Sequence, residues 1–161
     1  MPASWESLRP LRPVLLSYVM SFVYLGIYWN NHHHMFQAVD RVSGKVLWAN
    51  SHLLFWLSLV PFATAWLGDS HSAPLPTAVY GVMLISAAVA YTILVRTLLA
   101  GGANPRLARA IGGDGKGKLS ILLYLTAISL AFVNVWMADA LYVLVALIWL
   151  IPDRRIEKHL N

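Results

Sequence analysis

The sequence predicts an all-α fold, a polytopic bundle of helices that cross a membrane. Hydrophobic residues make up 58% of the 161-residue chain and charged residues only 12%, whereas soluble domains average roughly 45–50% and about 25%. Several apolar segments reach the ~18 residues that a helix needs to cross the hydrocarbon core. Lys and Arg cluster at the ends of these segments, as the positive-inside rule describes. We therefore expect one integral membrane domain, residues 1–161, whose partner is the lipid bilayer and which binds no nucleic acid.

The first two spans are predicted at residues 14–34 and 46–67. In the second span, Trp48 and Trp66 lie about 27 Å apart along an ideal helix, a distance that suits two interfacial anchors. Pro61 lies inside the same span, where it cannot donate a backbone hydrogen bond and is expected to bend the helix. The bend serves either helix packing or a hinge.

The third span is predicted at residues 75–99, where Gly81 and several alanines favour close contact with neighbouring helices. After this span, Asn104 and Pro105 have the residue types of a helix start. A short capped helix over residues 106–111 is therefore expected, and Gly112 ends it.

The last apolar segment, residues 119–151, is too long for one span and is predicted to form two helices. The break is expected between Asn134 and Asp139. The fifth helix then begins at about Ala138, and Pro152 ends it. Asp139, at the turn before this helix, is expected to be its N-cap, and ion binding is the alternative. The bundle thus has five transmembrane helices.

The distribution of charge predicts the orientation of these five helices. With alternating connections, all but two of the 12 Lys and Arg residues fall on one side of the membrane. The C-terminus is therefore expected on the cytosolic side of a bacterial cell membrane. The N-terminus then lies outside although no signal peptide leads it there, and an additional helix upstream of Met1 would remove this difficulty.

The most unusual polar segment extends from Trp29 to His34, at the end of the first helix. Adjacent helical residues point about 100° apart, so three consecutive histidines cannot share one metal ion. His52 is the only further ligand that the next helix offers. We instead expect a polar network between the first two helices, because polar side chains at membrane depth need partners; solvent exposure is the alternative. The members of this network are Trp29, Asn30, Asn31, His32, His33 and Asn50.

One face of the first helix carries Ser17, Ser21, Tyr24, Tyr28 and Asn31 at helical spacing. Small and hydroxylated residues let helices approach closely, which indicates a packing seam. The lining of a water-filled pore requires the same residue types on one face. The sequence leaves both interpretations open.

Residues 112–118 have the Gly-x4-Gly-Lys spacing of a phosphate loop, but Leu119 follows where that motif requires Ser or Thr. A flexible basic loop near anionic headgroups is the better interpretation. The chain has 0 Cys, no Ser-His-Asp arrangement and no carboxylate deep inside a long apolar run. We therefore expect no enzyme activity, no resident metal and no cofactor.

Four sequence segments occur in order across nearly the whole chain. They are Gly26-Ile27-Tyr28-Trp29-Asn30-Asn31-His32-His33, Leu47-Trp48-x-Asn50, Pro61-Phe62-x-Thr64-Ala65-x-Leu67-Gly68 and Trp149-Leu150-Ile151-Pro152-Asp153-Arg154-Arg155. Together they resemble the prokaryotic form of the endosomal and lysosomal potassium channel family, transmembrane protein 175. The resemblance implies a potassium-permeable cation channel without the usual carbonyl filter, with the potassium ion as its permeant species. It also implies six helices per subunit and a homotetramer around a central pore.

The chain departs from that family at its beginning. The family's N-terminal helix carries Arg-x-x-x-Phe-Ser-Asp and lines the pore, and no such motif occurs here. The chain therefore looks like helices two to six of the six-helix subunit, truncated at the N-terminus. In the family, the segment matching Trp29 to His33 and the residue matching Asn50 contact the Ser-Asp pair of that helix. We expect the chain alone to conduct potassium poorly; the alternative is a non-conducting membrane scaffold or a partner-dependent subunit.

Overall fold

Helices dominate the computed structural model, which describes residues 12–70, 73–111 and 115–150. The α-helices of this part are α1 (Arg12–Gln37), α2 (Gly44–Ser58), α3 (Val60–Asp69), α4 (Pro74–Leu99), α5 (Pro105–Ile111), α6 (Gly115–Leu130) and α7 (Val135–Leu150). A short 3-10 turn, Ala100–Gly102, follows α4. None of the described residues forms a β-strand, so the predicted all-α class is confirmed.

Helix α4 contacts most of the other helices and forms the centre of the bundle. It packs against α2, α3, α6 and α7, while α1 packs against α3 and α7. Two hydrophobic clusters fill the space between these helices. One cluster joins α1, α3, α6 and α7 to the first half of α4, and the other joins α2, α5 and the end of α1 to its second half.

Two helices of the described chain are long and apolar enough to cross a membrane. One is the nearly continuous helix Gly44–Asp69, which comprises α2 and α3, and the other is α4. Helix α7 is apolar, and 16 of its residues are described. Helix α1 has 26 residues, and its last turns carry consecutive Asn and His residues. The fold is thus a helical membrane bundle, and the number of five spans remains a prediction.

The second predicted span is interrupted at Leu59, between α2 and α3. Pro61 lies in the first turn of α3 and has no N–H to donate to the carbonyl of Leu57. The N–H of Leu59 instead bonds to the carbonyl of Trp56 in a turn, at 3.2 Å. The helix therefore breaks where proline removes a helical hydrogen bond.

The start of α7 shows that the prediction for Asp139 was wrong. The helix begins directly after Asn134, earlier than the predicted Ala138. Oδ1 of Asn134 accepts the backbone N–H groups of Trp136 and Met137 at 3.0 and 3.3 Å, which is the geometry of an N-cap. Asp139 therefore lies inside α7 and does not cap it.

The side chain of Asn104 does not cap the short helix, as was predicted, but bonds to other segments. Helix α5 does follow it, beginning with Pro105, but Oδ1 of Asn104 accepts the N–H groups of Asp40 and Arg41 at 2.8 and 3.0 Å. Its Nδ2 donates to the carbonyls of Leu98 at 2.7 Å and Arg41 at 3.3 Å. This set of bonds, which we call the Asn104 clamp, joins the α1–α2 connection to the end of α4.

The second half of the basic segment 112–118, which was predicted as a flexible loop, is helical. Gly115 to Lys118 form the first turn of α6, so Lys116 and Lys118 belong to a helix and not to a flexible loop. Residues 112–114 and the predicted helix end at Pro152 lie outside the described residues.

Candidate functional site

The polar stripe of α1 faces the interior of the bundle. Ser21, Tyr24 and Asn31 are buried, and Tyr28 is half-buried. The side chain of Ser17 lies outside the described residues. The opposite face of α1 is apolar and exposed, with large side chains at Leu15, Tyr18, Val19, Met20, Phe22 and Val23. The described part of the stripe therefore packs against other helices of the same chain.

Buried tyrosines join α1 to α6, and α7 to α4. The hydroxyl of Tyr24 is hydrogen-bonded to that of Tyr124 on α6, at 2.7 Å. The hydroxyl of Tyr142 on α7 donates to the carbonyl of Thr77 on α4, at 3.0 Å, and the rings of Tyr124 and Tyr142 lie 6.3 Å apart. We call this region the tyrosine core; it comprises Tyr24, Tyr28, Tyr80, Tyr91, Tyr124 and Tyr142.

Asn31 connects the tyrosine core to the last turns of α7. Its Nδ2 donates to the carbonyls of Ile27 and Trp149, both at 2.9 Å. The indole Nε1 of Trp149 in turn donates to the hydroxyl of Ser120 on α6, at 2.8 Å. The Lys116 ammonium lies over the Trp149 ring, 5.9 Å from its centroid. This end of the bundle is thus held by polar contacts between α1, α6 and α7.

A small cavity lies between the tyrosine core and Trp149. Its volume is about 30 Å³, and its lining includes Tyr28, Tyr91, Ser120 and Trp149. A site needs roughly 10–15 Å³ and several polar partners to hold one water molecule. The cavity therefore has room for one or two water molecules.

The predicted inter-helix network is divided between two faces of α1. His32 Nε2 is hydrogen-bonded to Oδ1 of Asn50 on α2, at 2.7 Å, and the His32 ring packs on Phe36. Asn30 is half-buried. The structure thus brings His32 and Asn50 together across α1 and α2, while Asn31 points to α7.

Trp29 and His33 lie on the exposed side of α1, away from Asn50. Their rings are stacked at 5.3 Å, with planes 14° apart. Gln37 Nε2 donates to His33 Nε2 at 3.0 Å, and Gln37 Oε1 contacts His34 Nδ1 at 3.3 Å. These contacts stay within one helix, so Trp29 and His33 do not join the helix pair.

His52 does not complete a metal site with the α1 histidines. Its Nε2 accepts the indole N–H of Trp56 at 3.0 Å, within α2. Among the described residues, no group of three or more His, Cys, Asp or Glu side chains is arranged to hold a metal ion.

A larger open groove runs between α1, α3 and α7. Its volume is about 510 Å³, and its walls are mostly apolar, with polar groups at Thr64, Tyr80, Asp139 and Tyr142. Asp139, which was predicted as a cap, therefore lines this groove from inside α7.

Of the α6 and α7 residues that meet the α1 stripe, only Trp149 was noted in the sequence, as part of a family-like segment and not as a partner of α1. Ser120 and Tyr124 are four residues apart, and Tyr142 and Trp149 are seven apart. These spacings place each pair on one face of its helix, which is the signal that identified the stripe of α1. Applied to every helix, the same test finds these partners, although it does not pair them.

Breaking the hydrogen bond between His32 and Asn50 is expected to lower the stability of the fold. The coupling energy between the two positions should be measurable. Leucine at either position leaves a half-buried polar group without its partner. Interhelical hydrogen bonds in membranes contribute about 0.6 kcal/mol on average and roughly 1.7 at most. A double-mutant cycle of His32→Leu and Asn50→Leu, measured by unfolding in mixed detergent micelles, should give a coupling in that range.

The matched control for this cycle is His33→Leu combined with Asn50→Leu. His33 is exposed, and its contacts with the described residues lie within its own helix, so the two substitutions should be additive. Equal coupling energies in both cycles would contradict the assignment of His32 as the partner of Asn50.

The fold and this arrangement define a helical membrane protein in which the described part of the α1 polar stripe faces the interior of the bundle. Residues 1–61 match the model of the family described as endosomal/lysosomal potassium channel TMEM175. The chain is 54% identical over 160 residues to a potassium channel of Chryseobacterium sp. (strain P1-3), which covers 99% of this chain and 83% of that protein. The chain belongs to the TMEM175 family.

Two further relatives are more distant. A potassium channel of Chamaesiphon minutus is 30% identical over 145 residues, which is 83% of this chain and 69% of that protein. A potassium channel of Streptomyces collinus is 32% identical over 94 residues, or 56% of this chain and 46% of that protein. No solved structure matches this chain.

Proposed function

We propose that this chain is a subunit of a potassium-permeable cation channel in a bacterial cell membrane. The observation that carries the proposal is the 54% identity, along 99% of the chain, to a relative named as a potassium channel. The all-helical membrane fold supports it, because ion channels are built from such bundles. Catalytic and cofactor chemistry has no part in the proposal.

We further propose that ions pass between subunits and not through one of them. The interior of the described bundle is occupied by the tyrosine core, and the cavity beside it measures only about 30 Å³. A pore between subunits requires an oligomer, and a homotetramer is the proposed assembly. The exposed apolar face of α1 and the groove between α1, α3 and α7 supply surface for lipid and neighbouring subunits.

The proposed channel selects potassium without a ring of backbone carbonyls. Such a filter needs an extended loop whose carbonyls point into the pore. Residues 12–70, 73–111 and 115–150 form helices and short turns, in which most carbonyls accept helical hydrogen bonds. Selection by side chains and by partial dehydration in a narrow helical pore is the mechanism this supports.

The proposed orientation places the α1–α2 and α4–α5 connections in the cytosol, together with the C-terminus. The Asn104 clamp holds these two connections at one end of the bundle. Arg41 lies in the α1–α2 connection and Lys45 in the first turn of α2, and Arg106 and Arg109 lie in α5. The positive-inside rule assigns such an end to the cytosol.

Potassium flux through reconstituted liposomes tests the proposed function. The gene product that contains this chain should carry potassium down an imposed gradient, faster than sodium and faster than protein-free liposomes. Native mass spectrometry of the same preparation should show four copies. A well-folded preparation without flux would favour the non-conducting scaffold, and a monomer that conducts would contradict the pore between subunits.

A further inference from the structure

The cytosolic end proposed above carries a cluster of exposed cations around the Asn104 clamp. Arg41 and Lys45 belong to the connection from α1 to α2 and to its first turn, and Arg106 and Arg109 belong to α5. All four side chains are exposed. We call this cluster the basic rim, and we propose that it binds the headgroups of anionic phospholipids.

The basic rim lies at the level where the membrane-spanning helices end. The helix Gly44–Asp69 begins beside Lys45, and α4 ends at Leu99, shortly before α5. The Asn104 clamp bonds both the α1–α2 connection and Leu98. The two sets of cations are therefore held together at one boundary of the apolar bundle, where lipid headgroups lie.

The charge of the rim is strongly unbalanced. Among the residues that contact the clamp, Asp40 carries the one carboxylate. Its Oδ1 lies 4.0 Å from a guanidinium nitrogen of Arg106, and both side chains are largely exposed. Exposed ion pairs of this length hold their partners weakly. The pair therefore leaves all four cations of the rim able to attract anions.

Exposed apolar side chains accompany these cations. Trp48, one turn after Lys45, is 80% exposed, and the neighbouring Leu47 and Val42 are 59% and 52% exposed. Tryptophan is enriched at the level of lipid headgroups. Helix α5 is anchored by Leu107, which is fully buried against the bundle. A cationic surface with exposed Trp and Leu beside a membrane span fits a phospholipid better than a nucleic acid.

Lipid binding by the full-length gene product tests this proposal without reference to ion flux. The purified protein is mixed with nanodiscs or liposomes that contain phosphatidylcholine with or without phosphatidylglycerol, and bound lipid is measured by native mass spectrometry. We expect retention of phosphatidylglycerol over phosphatidylcholine. Each cation near a membrane surface contributes about fivefold in affinity, so Arg106→Gln with Arg109→Gln should lower retention roughly 30-fold.

Two control variants make the result specific. Arg106→Lys with Arg109→Lys keeps both positive charges, so this variant should retain the lipid. Arg12→Gln removes a cation at the beginning of α1, at the other end of that helix from the rim, and should change retention little. Equal retention of both lipids, or loss of binding in the lysine pair as large as in the glutamine pair, would overturn the proposal.

Discussion

Gly81→Leu is expected to prevent folding of the bundle, so that little monodisperse protein is recovered. A Cβ at this position would overlap the hydroxyl of Tyr142 and lie 2.6 Å from Cγ1 of Ile128. Both neighbours belong to helices that pack on α4. The Tyr142 hydroxyl is also held by its hydrogen bond to the carbonyl of Thr77, so moving it aside breaks that bond.

Gly81→Ala gives a graded form of the same effect. Overpacking of a tight core costs about 1–3 kcal/mol, and each 1 kcal/mol lowers Tm by roughly 2–4 °C in a chain of this size. A decrease in Tm of about 2–12 °C is therefore expected, measured by fluorescence-detected size-exclusion chromatography after heating in detergent.

Gly26→Ala is the matched control, because a Cβ at Gly26 of α1 meets nothing within 4 Å. Alanine in an open helical position is favoured over glycine by roughly 0.5–1 kcal/mol. Its Tm should therefore stay equal or rise slightly. A decrease at Gly26 as large as that at Gly81 would show that helix propensity, and not packing against Tyr142, decides the outcome.

The fold class was predictable because composition and apolar length act along the whole chain. Helix interruptions by proline were also predictable, since Pro61 removes a backbone donor wherever it stands. The start of α7 was not, because Asn134 and Asp139 are both good N-cap residues and both precede apolar sequence. Which of the two residues caps α7 depends on where the turn after α6 ends. Contacts between helices set that position.

The candidate site was predictable on each helix but not between helices. Helical spacing places Ser21, Tyr24 and Asn31 on one face, and the structure shows this face buried. Tyr124 is the partner of Tyr24, and Trp149 is the partner of Asn31. Each partner lies about a hundred residues away in the sequence, and no local pattern pairs them. The packing of α1 against α7 decides that Asn31 meets Trp149 while His32, its neighbour in sequence, meets α2.

Asn104→Ala is expected to cause the largest loss of stability of any single polar substitution at the end of the bundle that carries the basic rim. The side chain is 1% exposed and makes four hydrogen bonds, two by Oδ1 and two by Nδ2. Alanine leaves the N–H groups of Asp40 and Arg41 and the carbonyl of Leu98 without this partner. A buried polar group without a partner costs about 1–3 kcal/mol.

We expect a total loss of roughly 3–4 kcal/mol, since Asp40 and Arg41 are exposed enough for water to replace part of the lost bonding. This corresponds to a decrease in Tm of roughly 10 °C. The loss should also be local. Trypsin cleaves after Arg41 and Lys45, so faster cleavage at these positions reports release of the α1–α2 connection from the clamp before the bundle unfolds.

Asn134→Ala is the matched control for Asn104→Ala, because it removes the same side chain from an exposed N-cap. Its two bonds to the N–H groups of Trp136 and Met137 should cost about 1 kcal/mol, and cleavage after Arg41 should not change. The contrast between the two asparagines separates a clamp between distant segments from an ordinary helix cap. Equal losses of Tm in both variants, with unchanged cleavage after Arg41 in Asn104→Ala, would contradict the clamp, because water would then satisfy the α1–α2 connection as well as Asn104 does.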